Sequence, residues 1–325
     1  MAKAEQLIQL LRSHAEGDDD RFYRVALQVA AYEARRGHQK LAQELKHFVD
    51  QARSKKSREN SVVTLIQPKS EMESFLSISE PHTKLSYFTF SDHLKKVFKR
   101  IILEFKQQEK LHLHGLHPRR KLLLYGPPGT GKTITASALA SELHFPLFTI
   151  KLDGLITKYM GETAGKLRQV FESMRATQGV YFFDEFDAIG SDRHSTNDVG
   201  EIRRVLNSFL TFMEEDKSDS LIIAATNYVD LLDFALFRRF DDVVHYMLPD
   251  KRDIKPIIKN RLYKFQLKNI SWNKIEGEAL GLSHAEITRA CDDAAKFSIL
   301  EKDGAITTEE LLNMLQERKS ANRNK

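Results

Sequence analysis

"KLLLYGPPGTGKT", residues 121–133, decides how this chain is read. The first five residues form a strand-like run. The next eight fit G-x-x-x-x-G-K-[ST], and the chain then opens a helix. A glycine-rich turn between strand and helix lets backbone N–H groups point inward at phosphate oxygens, and the helix start adds the positive end of its dipole. Gly126, Gly129 and Gly131 give the turn its freedom, and Pro127, Pro128 and Thr130 complete the loop. Lys132 is expected to neutralise β- and γ-phosphates, and Thr133 to place its hydroxyl on Mg²⁺. A plain Gly/Pro turn is the bland alternative; the strand before and helix after argue for a nucleotide site, with ATP and Mg²⁺ as the expected cofactors.

Working outward, four more strand-like runs follow at intervals: "PLFTIKL", "VYFFD", "LIIAAT" and "DVVHYML". Helical patterns lie between them, marked by Leu167, Val170, Phe171 and Met174, and by Ile202, Val205, Leu206, Phe209 and Met213. Short apolar strands alternating with helices predict a parallel sheet covered on both faces. The fold class is therefore α/β, over residues 91–250. Its first helix is capped by Ser91 and carries Leu94, Val97, Phe98, Ile101, Ile102 and Phe105. Residues 251–325 read as helical throughout, with Thr307 and Glu310 as a capping box and an unstructured tail, "SANRNK".

The region before residue 91 is different. Leu7, Ile8 and Leu11 share one helical face that Gly17 ends. "GDDD" then caps a helix bearing Phe22, Val25, Ala26 and Val29 that Gly37 closes. Leu41, Leu45, Phe48 and Val49 mark a third helix. Residues 1–52 are thus expected to be a small all-α module. "RSKKSRENS", residues 53–61, has no apolar residue and reads as a mobile linker; the rest of 53–90 gives no clear pattern.

The chain has 325 residues, 41% hydrophobic and 29% charged, enough for several domains and a sizeable core. No apolar run approaches bilayer length, and the start lacks the apolar centre of a secretion signal. A single cysteine, Cys291, excludes an internal disulfide framework and a multi-cysteine zinc site. The expected location is cytoplasmic, with no membrane partner. A net charge of +5 and a pI of about 9.0 permit attraction to nucleic acid without arguing for it.

Further chemistry lies in "VYFFDEFDAIG", residues 180–190, where apolar residues end in Asp184 and Glu185. A buried strand cannot continue into adjacent charges, so these acids are expected at its C-terminal edge, where open α/β sheets bind ligands. Asp184 suits the Mg²⁺ shell through water. Glu185, pointing the other way along the pleat, suits polarising an attacking water. Asp187 reads as a helix-start residue. Asn227, after "LIIAAT", is placed to orient a water against the γ-phosphate. Arg238 and Arg239 are expected to act in trans, on a neighbouring subunit.

At these residues the chain resembles the AAA ATPase family, in a bacterial type with a single AAA module. "GPPGTGKT", "FFDEFDAIG", "IIAATN" and "LDFALFRRFD" stand in the family's order from about Ser91 onward. The resemblance implies a Walker A pair at Lys132 and Thr133, a Walker B pair at Asp184 and Glu185, a first sensor at Asn227 and arginine fingers at Arg238 and Arg239. It implies a homo-oligomer, a hexamer in the family, with residues 251–325 as a lid. It also places a first pore loop in "LITKYMGET", residues 155–163, where Lys158, Tyr159 and Met160 would grip a polypeptide of no fixed sequence. A second pore loop would fall at residues 193–200. "GLSHAEI" is similar to the start of the family's sensor helix, with Ala285 where some relatives carry arginine. The expected function is Mg-ATP-driven remodelling of protein substrates through a central pore. Two other readings stand beside it: a DNA-associated motor or loader, and an ATP-dependent switch on an effector such as a protease encoded nearby.

Overall fold

The computed structural model describes residues 19–35, 38–40, 43–44, 47, 49, 72–155, 160–186, 199–228, 234–301 and 304–323. Chain contacts divide it into two compact units, Met1–Gln67 and Pro68–Lys325. In the first, helix α1 (Asp19–Arg35) buries Val25, Ala26, Val29 and Ala30, the face that their spacing predicts. Helical positions recur between 39 and 49, and Val49 is buried. The helix expected around Leu7 and the linker at 53–61 lie outside the described residues.

The second unit contains β1 (Leu76–Ser79), α2 (Asp92–Lys106), α3 (Gln108–Leu113), β2 (Lys121–Tyr125), α4 (Lys132–Leu143) and β3 (Leu147–Lys151). It continues with α5 (Leu152–Leu155), α6 (Met160–Ala176), β4 (Val180–Asp184), α7 (Val199–Glu215), β5 (Leu221–Thr226), α8 (Phe234–Phe237) and β6 (Asp242–His245). The last segment holds α9 (Lys251–Arg261), β7 (Gln266–Leu267), α10 (Trp272–Ala279), α11 (His284–Glu301), β8 (Ala305–Ile306) and α12 (Thr308–Arg323).

Six strands form one sheet in the order β1-β3-β4-β5-β2-β6. All pairings are parallel except that of β1 with β3. The five parallel strands are those expected. The sixth, β1, lies in a stretch that the sequence left without a pattern. Only Leu76 of its four residues is buried, so an edge strand of this kind carries no alternation to read. Side chains alternate between the two faces. Phe182, Leu122, Leu124, Ile223 and Ala225 pack with α2 and α4, through Phe98, Ile101, Ala136 and Leu139. Phe183 faces the other way, into an aromatic cluster in which Phe209 of α7 lies 5.0 Å from Phe183, 5.7 Å from Phe171 and 4.9 Å from Phe186. Each fully buried large side chain contributes about 1.5–3 kcal/mol.

The C-terminal helices have their own core, built from Ile254, Ile258, Ile275, Leu282, Ile287, Cys291, Leu311 and Leu315. Two findings differ from the sequence reading. Strands β7 and β8 form a two-stranded parallel pair within the helical segment, too short to show a period. Helix α12 runs on to Arg323, into the expected tail. Lys319 Nζ reaches the backbone oxygen of Glu278 at 3.0 Å, and Arg318 pairs closely with Asp293, so this last turn is tied to α10 and α11. Among the described residues, no helix is long and apolar enough to cross a membrane.

Two measurements test this packing. Phe209→Ala removes a fully buried ring and is expected to cost about 3–5 kcal/mol in urea denaturation. Leu103→Ala, at a position 55% exposed, should change stability by no more than about 0.5 kcal/mol. Separately, burial in the helical core pushes the Cys291 thiol up to about 12. A thiol reagent at neutral pH is therefore expected to label it only at the rate at which the helical segment opens.

Candidate active site

The site begins where β2 ends. Gly126, Gly129 and Gly131 all have positive φ, at 142°, 73° and 104°. Gly126 is the most constrained, because a Cβ there would collide with the backbone carbonyl of Tyr246. Thr130 Oγ1 donates to Pro127 O at 2.8 Å and closes the loop on itself. Helix α4 then starts at Gly131 with no capping side chain and no acidic residue in its first turn. By contrast, Ser91 caps α2, Asp250 and Asp253 form a capping box on α9, and Ser283 and Glu286 cap α11 reciprocally. A twelve-residue helix that opens without a capping side chain or a first-turn acid leaves its N-terminus suited to an anion.

Lys132 is almost fully buried, and its ammonium donates to Gly126 O at 2.7 Å and Pro127 O at 3.0 Å. Thr133 Oγ1, exposed beside it, donates to Asp184 Oδ2 at 3.3 Å. This hydroxyl and carboxylate are hard oxygen donors of the kind Mg²⁺ takes. The strand register explains why they meet. Tyr125 pairs with Thr226, Phe183 with Ala224 and Lys151 with Asp184, so the ends of β2, β3, β4 and β5 share one edge. Asn227 follows β5 directly at that edge and is half-buried.

Glu185 is exposed and has φ 53°, in the left-handed region. Strand β4 ends at Asp184, so this local twist, rather than the pleat, sets the direction of the Glu185 side chain. Two hydrogen bonds hold the conformation: Glu185 N–H donates to Asp184 Oδ1 at 3.0 Å, and Phe186 N–H to Ala225 O at 2.8 Å. A non-glycine residue here is uncommon and needs such support.

The start of α11 lies on the loop. Ala285 N–H donates to Gly129 O at 3.0 Å, and a Cβ on Gly129 would come within 2.7 Å of Ser283 Oγ. Sequence reasoning singled out Ala285 for a missing arginine and passed over Ser283, although its S-x-x-E signal is legible. Tyr246 was also missed. Its hydroxyl donates to Thr135 Oγ1 at 2.6 Å, and burial raises its pKa far above the usual phenol value, so it is a fixed strut behind the loop.

Other expected residues lie elsewhere. Arg238 is exposed, and Arg239 Nε is 2.5 Å from Glu214 Oε1. Met160 opens α6. Lys158, Tyr159, Asp187 and most of residues 193–200 lie outside the described residues.

A strand, a bare-ended helix with a buried lysine, and an acid pair at the end of β4, two strands away across β5, define a P-loop nucleoside triphosphatase. Comparison with known proteins narrows the class. Residues 122–248 match the family described as "ATPase family associated with various cellular activities (AAA)". The "Uncharacterized AAA family ATPase y4kL" of Sinorhizobium fredii (strain NBRC 101917 / NGR234) is 34% identical over 98% of this chain and 96% of its own. A "Proteasome-activating nucleotidase" of Methanoregula boonei is 33% identical over 69% of this chain, and one of Pyrococcus abyssi 34% over 67%. The matches span 53% and 57% of those two proteins' lengths. The FIGL-1 AAA domain superposes with a TM-score of 0.62 and 25% identity, over 78% of this chain and 90% of that structure. The chain belongs to the AAA family and is an ATP-hydrolysing enzyme.

The glycines separate two effects. Gly126→Ala is expected to lower the melting temperature and abolish binding of a fluorescent ATP analogue, because a Cβ there meets backbone. Gly277→Ala, inside α10 with open space around it, should stabilise the chain by about 0.5–1 kcal/mol and leave binding intact.

Proposed function

We propose that this ATPase assembles into a ring and uses Mg-ATP hydrolysis to unfold, remodel or thread protein substrates through its centre. The observation that carries the reading is the position of Lys158, Tyr159 and Met160. Lys158 and Tyr159 fall between α5 and α6 and Met160 opens α6, after the C-terminal end of β3, the sheet edge that also carries the P-loop and the acid pair. A loop there can be moved by events at the nucleotide, and an amphipathic ring beside a thioether can grip varied side chains. The likeness to proteins named as proteasome-activating nucleotidases points the same way.

Within this reading the chain's own groups divide the work. The N–H groups of residues 129–131, beyond the two prolines of the loop, and the ammonium of Lys132 bind the polyphosphate. Thr133 and, through water, Asp184 would hold Mg²⁺, which would screen phosphate charge. Glu185 takes up the proton of the attacking water, and Asn227 orients that water. Arg238 and Arg239 belong to the seam with the next copy. The helical module at 1–52 serves as the substrate or effector module, residues 53–67 link it to the ATPase unit, whose sheet takes in β1 from the rest of the expected 53–90 linker, and 251–325 act as the lid. A cytoplasmic setting suits the single buried thiol of Cys291.

Two variants test the reading. Glu185→Gln should bind ATP normally and hydrolyse it about 10²–10⁴ times more slowly, and proteins captured with it from extract identify the client. Tyr159→Ala should hydrolyse ATP at the normal rate but fail to unfold that client. Full remodelling by Tyr159→Ala defeats the proposal.

A further inference from the structure

Arg238 and Arg239 are neighbours in sequence, yet the fold treats them differently. The turn that carries them is pinned on both sides. Leu236 and Phe240 are buried, Arg239 N–H donates to Leu236 O at 3.1 Å, and Asp241 accepts the N–H groups of Arg120 and Lys121 at 2.8 and 2.9 Å. Arg239 itself is folded back onto its own subdomain. Its guanidinium lies 2.5 Å from Glu214, near the C-terminal end of α7, and its side chain is 32% exposed. Arg238 faces outward and, among the described residues, makes no ion pair.

We infer that Glu214 is a positioning residue that holds Arg239 as a brace, so that Arg238 is the arginine presented to the neighbouring copy's γ-phosphate. The inference rests on the ring reading above and adds to it which arginine crosses the seam. An exposed ion pair is a weak tie by itself. Here it acts on a turn already fixed at 236, 240 and 241, so it needs only to choose a side-chain direction. A guanidinium already matched to a carboxylate must also give up that partner to reach a phosphate; Arg238 gives up water.

The test uses the full chain, with ATP as the probe. Steady-state hydrolysis and oligomeric state are measured for Arg238→Ala, Arg239→Ala, Glu214→Ala, the double variant Glu214→Ala/Arg239→Ala and the charge swap Glu214→Arg/Arg239→Glu. Arg238→Ala is expected to lose about 10³-fold or more in kcat with little change in KM and normal assembly. Arg239→Ala and Glu214→Ala should each lose less than about tenfold, the double variant should be no worse than either, and the swap should recover activity. Chains carrying Lys132→Ala mixed with chains carrying Arg238→Ala should regain hydrolysis at the mixed seam. If Arg239→Ala loses as much as Arg238→Ala, or the swap is worse than both singles, the assignment is overturned while the ring reading stands. If both arginine variants keep the wild-type kcat, the ring reading itself fails.

Discussion

A helix start left bare at the edge of a buried sheet is the constraint on which this structure depends. Helix α4 opens without a cap, and its exposed N–H groups would be a liability anywhere else. Neighbouring residues hold the arrangement open. Gly126 brings the backbone against Tyr246, Lys132 bonds the carbonyls of Gly126 and Pro127, and Ala285 bonds Gly129 from the helical segment. Each of these spends conformational freedom or buries a charge. The five parallel strands and their two aromatic faces supply the stability that offsets it.

The acid pair depends on the same core. Glu185 stays in a left-handed conformation because Phe186, the next residue, is fully buried against Phe209 and bonded to Ala225. An apolar contact thus fixes the direction of an exposed carboxylate. Phe209 belongs to α7, whose penultimate residue is Glu214. One helix therefore backs the acid on one side and meets the arginine turn on the other.

Much of this was legible in the sequence because the signals are local. The strand–glycine loop–helix run names its own geometry, and continuous apolar strands ending in polar residues mark the sheet edge. The caps at Ser91 and at Thr307 with Glu310 follow from side-chain chemistry three residues apart. Less visible were features that exist only through distant pairing. Strand β1 buries one residue in four and is a strand only because β3 lies beside it. The strut at Tyr246, the closure of Ser283 and Ala285 on Gly129, and the pairing of Glu214 with Arg239 join residues 25 to 156 positions apart. No window of sequence contains both halves. The twist at Glu185 was hidden for another reason: in an extended strand the pleat would set its direction, and only the break at Asp184 changes that.

The length of α7 makes its double contact consequential. Seventeen residues extend roughly 25 Å, and a packed helix moves as a unit rather than bending locally. Phe209 touches Phe171 of α6 as well as Phe186, so α6, which begins at Met160, shares the same aromatic cluster. A shift of the acid strand edge cannot be absorbed by Phe186 alone, because its neighbours are close-packed. It must be passed to α6, to α7 or to both. The segments that precede these two helices are the ones proposed to face the substrate, and the far end of α7 holds the arginine brace. Apolar packing around Phe209 thus links the nucleotide edge to the segments proposed to grip substrate and to the turn that carries Arg239.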